Sequence, residues 1–246
     1  FSNKLTANAA LHYTKGYGYF EEFKSGENLA DYGLANVPVG NNTVESTDLI
    51  RRRWLDNDFY VVNATGNYKN SRLDLIFGGS YSLYDGDHFG EVIWAEFASQ
   101  SEIRGRYYNG NSRKNDVSGF AKANYKLNDK ISLYGDLQIR NVTYKTRGTS
   151  SDVIPFELDK NFSFFNPKAG ITYELNDKND FYFSYARANR EPNRTDFESN
   201  PNIKPEQLND FELGWRHKST NGFSFNANSY FMLYNEQLVL TGQLDD

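Results

Sequence analysis

Residues Phe181 to Leu213 read FYFSYARANREPNRTDFESNPNIKPEQLNDFEL: an alternating strand, a loop dense in Arg, Asn and Pro, and a second alternating strand. Side chains in a strand alternate with a period of two, so Phe181, Phe183 and Tyr185 share one face while Tyr182, Ser184 and Ala186 share the other. Pro192, Pro201 and Pro205 oppose a continuous helix or a central strand in the connection. Alternation resumes with Phe211, Leu213 and Trp215 opposite Asp210, Glu212 and Arg216. One residue of slip would exchange the two sets of faces, so the register is strongly specified.

The same unit recurs outward in both directions. Leu5 to Thr14 alternates and runs into the ring-and-glycine segment Gly16 to Phe20. Phe59 to Lys69 and Arg72 to Tyr84 flank a tight Asn70-Ser71 turn, and Val117 to Leu127 and Ile131 to Lys145 flank Asn128-Asp129-Lys130. Pro167 to Leu175 and Phe181 to Ala188 flank the turn 176–180, and Leu208 to His217 and Phe223 to Tyr234 flank 219–222. A further strand is expected to open at Gln237 to Thr241. Between these hairpins lie long irregular stretches, 21–57, 85–116, 146–166 and 189–207, expected to be loops. Short and long connections alternate, as in a transmembrane barrel with short turns at one rim and longer loops at the other, joined by strands of about 9 to 11 residues.

Composition agrees with thin apolar faces. The 246 residues include 19 Phe, 18 Tyr and 3 Trp, yet mean hydropathy is −0.74. No stretch approaches the roughly 20 apolar residues of a membrane-spanning helix. A barrel hides from such an average, because every second residue faces a polar lumen. Tyr13, Tyr17, Tyr60, Tyr81, Tyr84, Tyr125, Tyr173, Tyr185, Trp215, Phe223 and Tyr234 fall near expected strand ends, where aromatic girdles would sit. The fold class expected is all-β: antiparallel up-and-down hairpins, nine to ten strands, part of a larger transmembrane barrel. The formal charge of −5, from 27 basic and 32 acidic residues, opposes a nucleic-acid partner. With no cysteine there is no disulfide framework, thiolate nucleophile or Cys-based metal site. Phe1-Ser2-Asn3-Lys4 leads straight into alternation, so the chain is expected to be a fragment or a mature piece.

The opening stretch resembles the later barrel strands of TonB-dependent outer-membrane receptors. The matching positions are Ser184-Tyr185-Ala186, the Arg-x-Pro loop Arg190-Glu191-Pro192, Pro205-Glu206, and Glu212-Leu213-Gly214 before Trp215; Leu11 to Phe23 also looks like such a barrel. The signature residues are therefore Ser184, Arg190, Pro192, Pro205, Glu206, Glu212 and Gly214. The resemblance implies a barrel of about 22 strands, of which residues 1–246 would form a partial barrel domain with no plug domain present. It also implies a place in the cell outer membrane, lipid and the TonB energy-transducing complex as partners, and energised uptake of a scarce ligand. That ligand would be a small molecule or a glycan, such as a ferric siderophore, vitamin B12 or a glycan chain. It implies no enzymatic activity and no cofactor. An outer-membrane barrel enzyme or porin, and a soluble carbohydrate-binding β-sandwich, are the competing readings.

The residues themselves name few sites. His12, His88 and His217 lack metal-ligand spacing, and no Gly-x-Ser-x-Gly elbow accompanies the serines. Asp85, Asp87 and Glu91 in DGDHFGE lack EF-hand spacing and are expected to be a solvated acidic loop. Trp94, Arg104, Arg106, Tyr107 and Tyr108 combine rings with guanidinium groups in one expected loop and are the ligand-binding candidates. Asp210, Glu212 and Arg216 are expected to face the lumen, as charge pairs in the wall or as a guide for an anion.

Overall fold

A computed structural model describes residues 4–98, 103–151 and 153–238. In chain order the elements are β1 (Leu5–Asn28), a 3-10 turn (Leu29–Tyr32), β2 (Val37–Val39), β3 (Asn42–Val44), β4 (Ser46–Lys69), β5 (Leu73–Ala95), β6 (Arg106–Lys126), β7 (Ile131–Thr149), β8 (Pro155–Asn176), β9 (Asn179–Arg190), α1 (Arg194–Ser199), β10 (Glu206–Lys218) and β11 (Ser224–Asn235). Nine strands form one sheet in the order β1-β4-β5-β6-β7-β8-β9-β10-β11, each neighbour antiparallel, and β2 and β3 make a separate small hairpin. The sheet is open, with β1 and β11 at its edges.

Three of the four short connections share one chemical device. The Asn70 side chain accepts from the backbone N–H of Arg72 and Leu73 (2.9 and 2.8 Å), and Asn128 does the same for Lys130 and Ile131 (2.9 and 2.9 Å). Asn176 accepts from Lys178 N–H at 3.0 Å. An Asn that folds the backbone back on itself replaces the missing ladder bonds, so the repeated Leu-Asn-Asp-Lys entry is a turn instruction.

The strands are longer than the 9 to 11 residues expected: β1 and β4 have 24 residues each and β8 has 22. Much of the stretches 21–57, 85–116 and 146–166 is therefore strand, and the loop reading is corrected at 21–28, 46–57, 85–95, 106–116, 146–149 and 155–166. The acidic DGDHFGE run lies within β5 for the same reason. These extensions lost their period in the sequence because both faces turn polar there: Lys15, Asp56, Asp58, Asp85, Arg113, Lys145 and Asp159 occupy the face that is apolar lower down. The short helix α1 fits between prolines through a capping box, with Asp196 N–H donating to Asn193 Oδ1 (2.9 Å) and Asn193 N–H to Asp196 Oδ2 (2.8 Å). Of the further strand expected at 237–241, only Gln237 and Leu238 lie within the described residues, and neither is strand.

Period-two alternation gives the sheet an apolar and a polar face. Leu11, Val62, Phe77, Leu137, Phe183 and Leu213 lie on the first, and Leu11 is 82% exposed. On the longer strands the apolar run is about 9 to 11 residues long, as from Tyr60 to Tyr68, Leu73 to Leu83 and Phe165 to Tyr173, and it is shorter on β9 (Phe181 to Tyr185) and β10 (Phe211 to Trp215). Rings bound it at both ends, and their polar tips point out of it. Tyr13 Oη donates to Asp58 (2.7 Å), Tyr81 Oη to Asn115 (3.2 Å) and Tyr185 Oη to Asn209 (2.9 Å) at the end away from the short turns. At the turn end Trp215 Nε1 donates to Asn179 (3.1 Å). Tyr84 and Tyr234, expected in these rings, sit on the polar face instead.

Gly78 keeps the ladder closed on the polar face: a Cβ there would meet the Ala64 carbonyl oxygen, with Thr65 Cγ2 at 3.1 Å and Phe120 Cε1 at 3.2 Å, whereas a Cβ at Gly135 meets nothing within 4 Å. Gly78→Val in the full-length protein is expected to cost about 1–3 kcal/mol by overpacking, read as a lower urea midpoint, while Gly135→Ser leaves that midpoint unchanged.

Candidate functional site

The polar face carries its chemistry at the end away from the short turns. β9 pairs with β8 only up to Ala186 opposite Lys168, although β8 continues to Pro155. Above that point β9 and β10 run on as a two-stranded ribbon, and the loop 191–205 folds back across the polar face of β8, β7 and β6. Glu191 anchors it. Both its oxygens accept from Arg140 of β7 (2.7 and 2.8 Å), Lys114 of β6 lies 2.8 Å away, and Arg140 also pairs with Asp116 at 2.6 Å.

Phe197 in α1 is 2% exposed and stacks on Phe162 at 6.4 Å, which in turn stacks on Phe164 at 5.9 Å. Pro192 is fully buried. An amide chain bridges the gap where β9 leaves β8: Asn189 Nδ2 donates to Asn166 Oδ1 (2.8 Å), and Asn166 Nδ2 to Gln138 Oε1 (3.0 Å).

The folded loop brings Arg194 towards Arg53 and His88 of the strands. Arg194 packs over the Phe156 ring at 5.3 Å and pairs with Glu198 at 2.8 Å. Burial, together with the nearby positive charges of Arg194 and Arg53, lowers the His88 pKa despite the opposing charge of Asp87. His88 Nε2 lies 3.2 Å from Tyr84 Oη, and burial raises the neighbouring Tyr144 hydroxyl against the influence of Arg194. Arg53 rests over Phe20 at 5.3 Å; its buried Nε has no acceptor among the described residues. The result is a patch of Arg53, His88 and Arg194 edged by Tyr84 and Tyr144, built from β4, β5, β7 and the loop. It offers donors and positive charge to an anion.

The ligand candidates do not form one cluster. Tyr107 and Tyr108 both press against Gly90 at a bulge, and Tyr107 stacks on Tyr32 at 4.7 Å. Arg51 donates to Tyr32 Oη (3.0 Å) and pairs with Glu22 (2.9 Å), and burial pushes the Tyr107 hydroxyl up to about 12. Tyr107 packs against a small core of Leu29, Tyr32, Leu34, Val37, Leu49 and Val92 that seats the 3-10 turn and the β2–β3 hairpin. Arg106 lies on the other face, 3.6 Å over Phe89. Trp94 stands opposite Ile50 with 45% exposed, and Arg104 holds a positive φ of 72° in the loop before β6.

Asp210, Glu212 and Arg216 share the polar face of β10 with Gly214. Glu212 accepts from Tyr182 Oη (2.6 Å) and Asn228 (2.8 Å), and Arg216 pairs with Asp180 at 2.5 Å. Gly214 leaves the space that the Tyr182 ring fills, Ser184 lies opposite Glu212, and Arg190 pairs with Glu206 at 3.4 Å just after Pro205. Glu191, Arg140, Lys114, Arg53 and His88 went unassigned in the sequence. Arg140 and Glu191 are 51 positions apart, and only the lattice of strand registers joins them.

A nine-stranded antiparallel wall with one apolar belt between aromatic rings and one polar face roofed by a folded loop defines a β-barrel wall. The chain belongs to the TonB dependent receptor-like β-barrel family, whose model matches residues 1–245. Barrels of this family are outer-membrane proteins. Similar solved structures include the copper transporter OprC (TM-score 0.67, 12% identity, 95% of this chain and 36% of that one). They also include the ferric-catecholate import receptor Fiu of E. coli K12 in its closed form (0.56, 13%, 94% and 38%) and the ferric yersiniabactin uptake receptor FyuA of Yersinia pestis (0.53, 13%, 94% and 34%). The chain thus spans little more than a third of each of these proteins. A comparison with curated proteins finds no match.

Burial pushes the Glu191 carboxyl up, but hydrogen bonds from Arg140 and Lys114 outweigh it and hold the pKa at about 2, below the ordinary 4.5. A depressed carboxylate contributes to docking of the loop above about pH 4.5, and that contribution drains away as pH falls through about 2. Glu191→Gln, which leaves Lys114 without its carboxylate and Arg140 with Asp116 alone, is expected to weaken loop docking by about 3 kcal/mol. Amide exchange at 193–200 would then speed up at neutral pH, as it does in the parent protein near pH 2.

Proposed function

We propose that this chain is part of the barrel of an outer-membrane receptor that imports a ferric siderophore, with its polar face lining the lumen and its apolar belt facing lipid. Energy would reach it from the TonB complex through a plug domain, and no step is catalysed. The observation that carries the cargo class is the pair of guanidinium groups Arg53 and Arg194 beside His88, which burial and their charges hold neutral; the buried Arg53 Nε lacks an acceptor among the described residues. Ferric siderophores present anionic oxygens, and a guanidinium binds these better than it binds a neutral cobalamin or glycan. The similar structures Fiu, a ferric-catecholate import receptor, and FyuA, a ferric yersiniabactin uptake receptor, support the same class. Tyr182, Glu212 and Arg216, lower on the same face, are expected to hold the wall in register, and the signature residues to close and seat the loop 191–205.

Two measurements test this. In a deletion strain carrying the full-length receptor, Arg53→Ala combined with Arg194→Ala is expected to lower uptake of radioactive ferric siderophore about tenfold at equal receptor abundance. Growth rescue on cobalamin or a glycan alone would contradict the cargo. For the lipid-facing belt, Leu213→Arg is expected to cost about 2–4 kcal/mol when folding is measured in vesicles, and a neutral result would contradict it.

A further inference from the structure

The apolar side of β1, β4 and β5 does not end in charge. Above the upper tyrosine ring comes a polar tier, in which Lys15 bonds Asp56 and Asp58 (2.6 and 3.1 Å) and Asn111 bonds Asp85 and Asp87 (3.1 and 2.8 Å). Above that tier the same face becomes aromatic again. Tyr19, Trp54 and Phe89 stand directly opposite one another on three strands. Their ring centroids are 4.5 Å (Tyr19–Trp54) and 5.8 Å (Trp54–Phe89) apart, and Tyr17 joins Trp54 at 5.2 Å. Arg52 lies 4.2 Å over Tyr19 and Arg106 3.6 Å over Phe89. Trp54 Nε1 donates to Glu91 (3.0 Å), and Arg52 pairs with Glu21 (2.7 Å). Tyr17 is 65% exposed and Tyr19 47%.

We propose that this strip binds the saccharide headgroup of a glycolipid in the leaflet surrounding the barrel. The inference rests on the lipid-facing reading of the belt, with which the strip is continuous on the same strands. Sugar rings present C–H faces that lie on aromatic rings, and hydroxyls that bridge carboxylates and guanidinium groups; the strip supplies all three. Height selects the occupant. Six residues separate Tyr13 from Tyr19, about 20 Å along a strand and about 15 Å above the ring once tilt is included. The polar zone of a phospholipid leaflet adds only about 5–8 Å. A headgroup lengthened by several sugars reaches the strip, and a phospholipid headgroup does not.

The test uses the full-length receptor in nanodiscs doped either with lipopolysaccharide bearing core sugars or with lipid A lacking them, and counts glycolipid retained per receptor after detergent extraction. The parent protein is expected to retain the core-bearing form about fivefold more. Tyr17→Ala with Tyr19→Ala should remove that preference, and Arg106→Ala, which leaves the ring stack intact, should weaken it. Equal retention of lipid A, retention unchanged in the variants, or dimers that dissociate in the variants would overturn the proposal. Failure of the belt reading is distinguishable, because the receptor would then not enter nanodiscs of either composition.

Discussion

A backbone N–H or C=O that meets hydrocarbon has no water to bond, so a β-structure there must pair every strand on both sides. That constraint organises the whole chain. The strands follow one another in the sheet almost in sequence order, the only insertion being the small β2–β3 hairpin between β1 and β4. Period-two alternation then assigns each side chain to one of two solvents. The belt needs few apolar residues because only alternate positions of nine strands contribute, and large rings at its borders supply much of that surface. Their hydroxyl and indole groups bond outward on both sides, the arrangement expected of amphipathic rings at an interface.

Beyond the belt the same ladder continues in a different medium. β1 and β4 stay paired from Leu5 opposite Tyr68 up to Asn28 opposite Ser46, while the face that was apolar becomes a tier of Lys and Asp and then the ring strip of Tyr17, Tyr19 and Trp54. These exposed pairs add little stability each. Their main effect is to keep the extension soluble without breaking the ladder. On the opposite face a cluster of a different kind forms, since Glu191 is nearly buried and satisfied by two cations. Removing one partner of such a cluster costs more than the cluster contributes, which makes it a fixed seat for the loop. The cationic patch beside it exists only because the loop is seated.

The architecture was largely legible in the sequence, where one face is apolar and the other polar. Phe211-Glu212-Leu213 decides the faces of β10 from three letters, and Asn70, Asn128 and Asn176 mark their turns. The upper strand extensions were not legible: in Asp85 to Glu91 and Arg106 to Asp116 polar residues occupy both faces around isolated rings such as Phe89 and Tyr108, and polarity without a period reads as loop. The site suffered from the same cause. Arg106 and Tyr107 are adjacent in sequence but lie on opposite faces, and the bulge opposite Gly90 turns Tyr107 and Tyr108 inward together. Glu191 stood inside the Arg-x-Pro signature with no local hint of Arg140, a partner supplied by a strand two places away in the sheet.

The central claim is that the apolar face of this wall meets lipid while the polar face lines a lumen. The chain's lack of cysteine makes the direct measurement clean. Single cysteines placed from 210 to 216 in the full-length receptor, labelled with a fluorophore and reconstituted with lipids brominated in their acyl chains, report contact with hydrocarbon residue by residue. The account predicts quenching at 211, 213 and 215 and none at 210, 212 and 216. Uniform quenching, or quenching at the even positions, would contradict it.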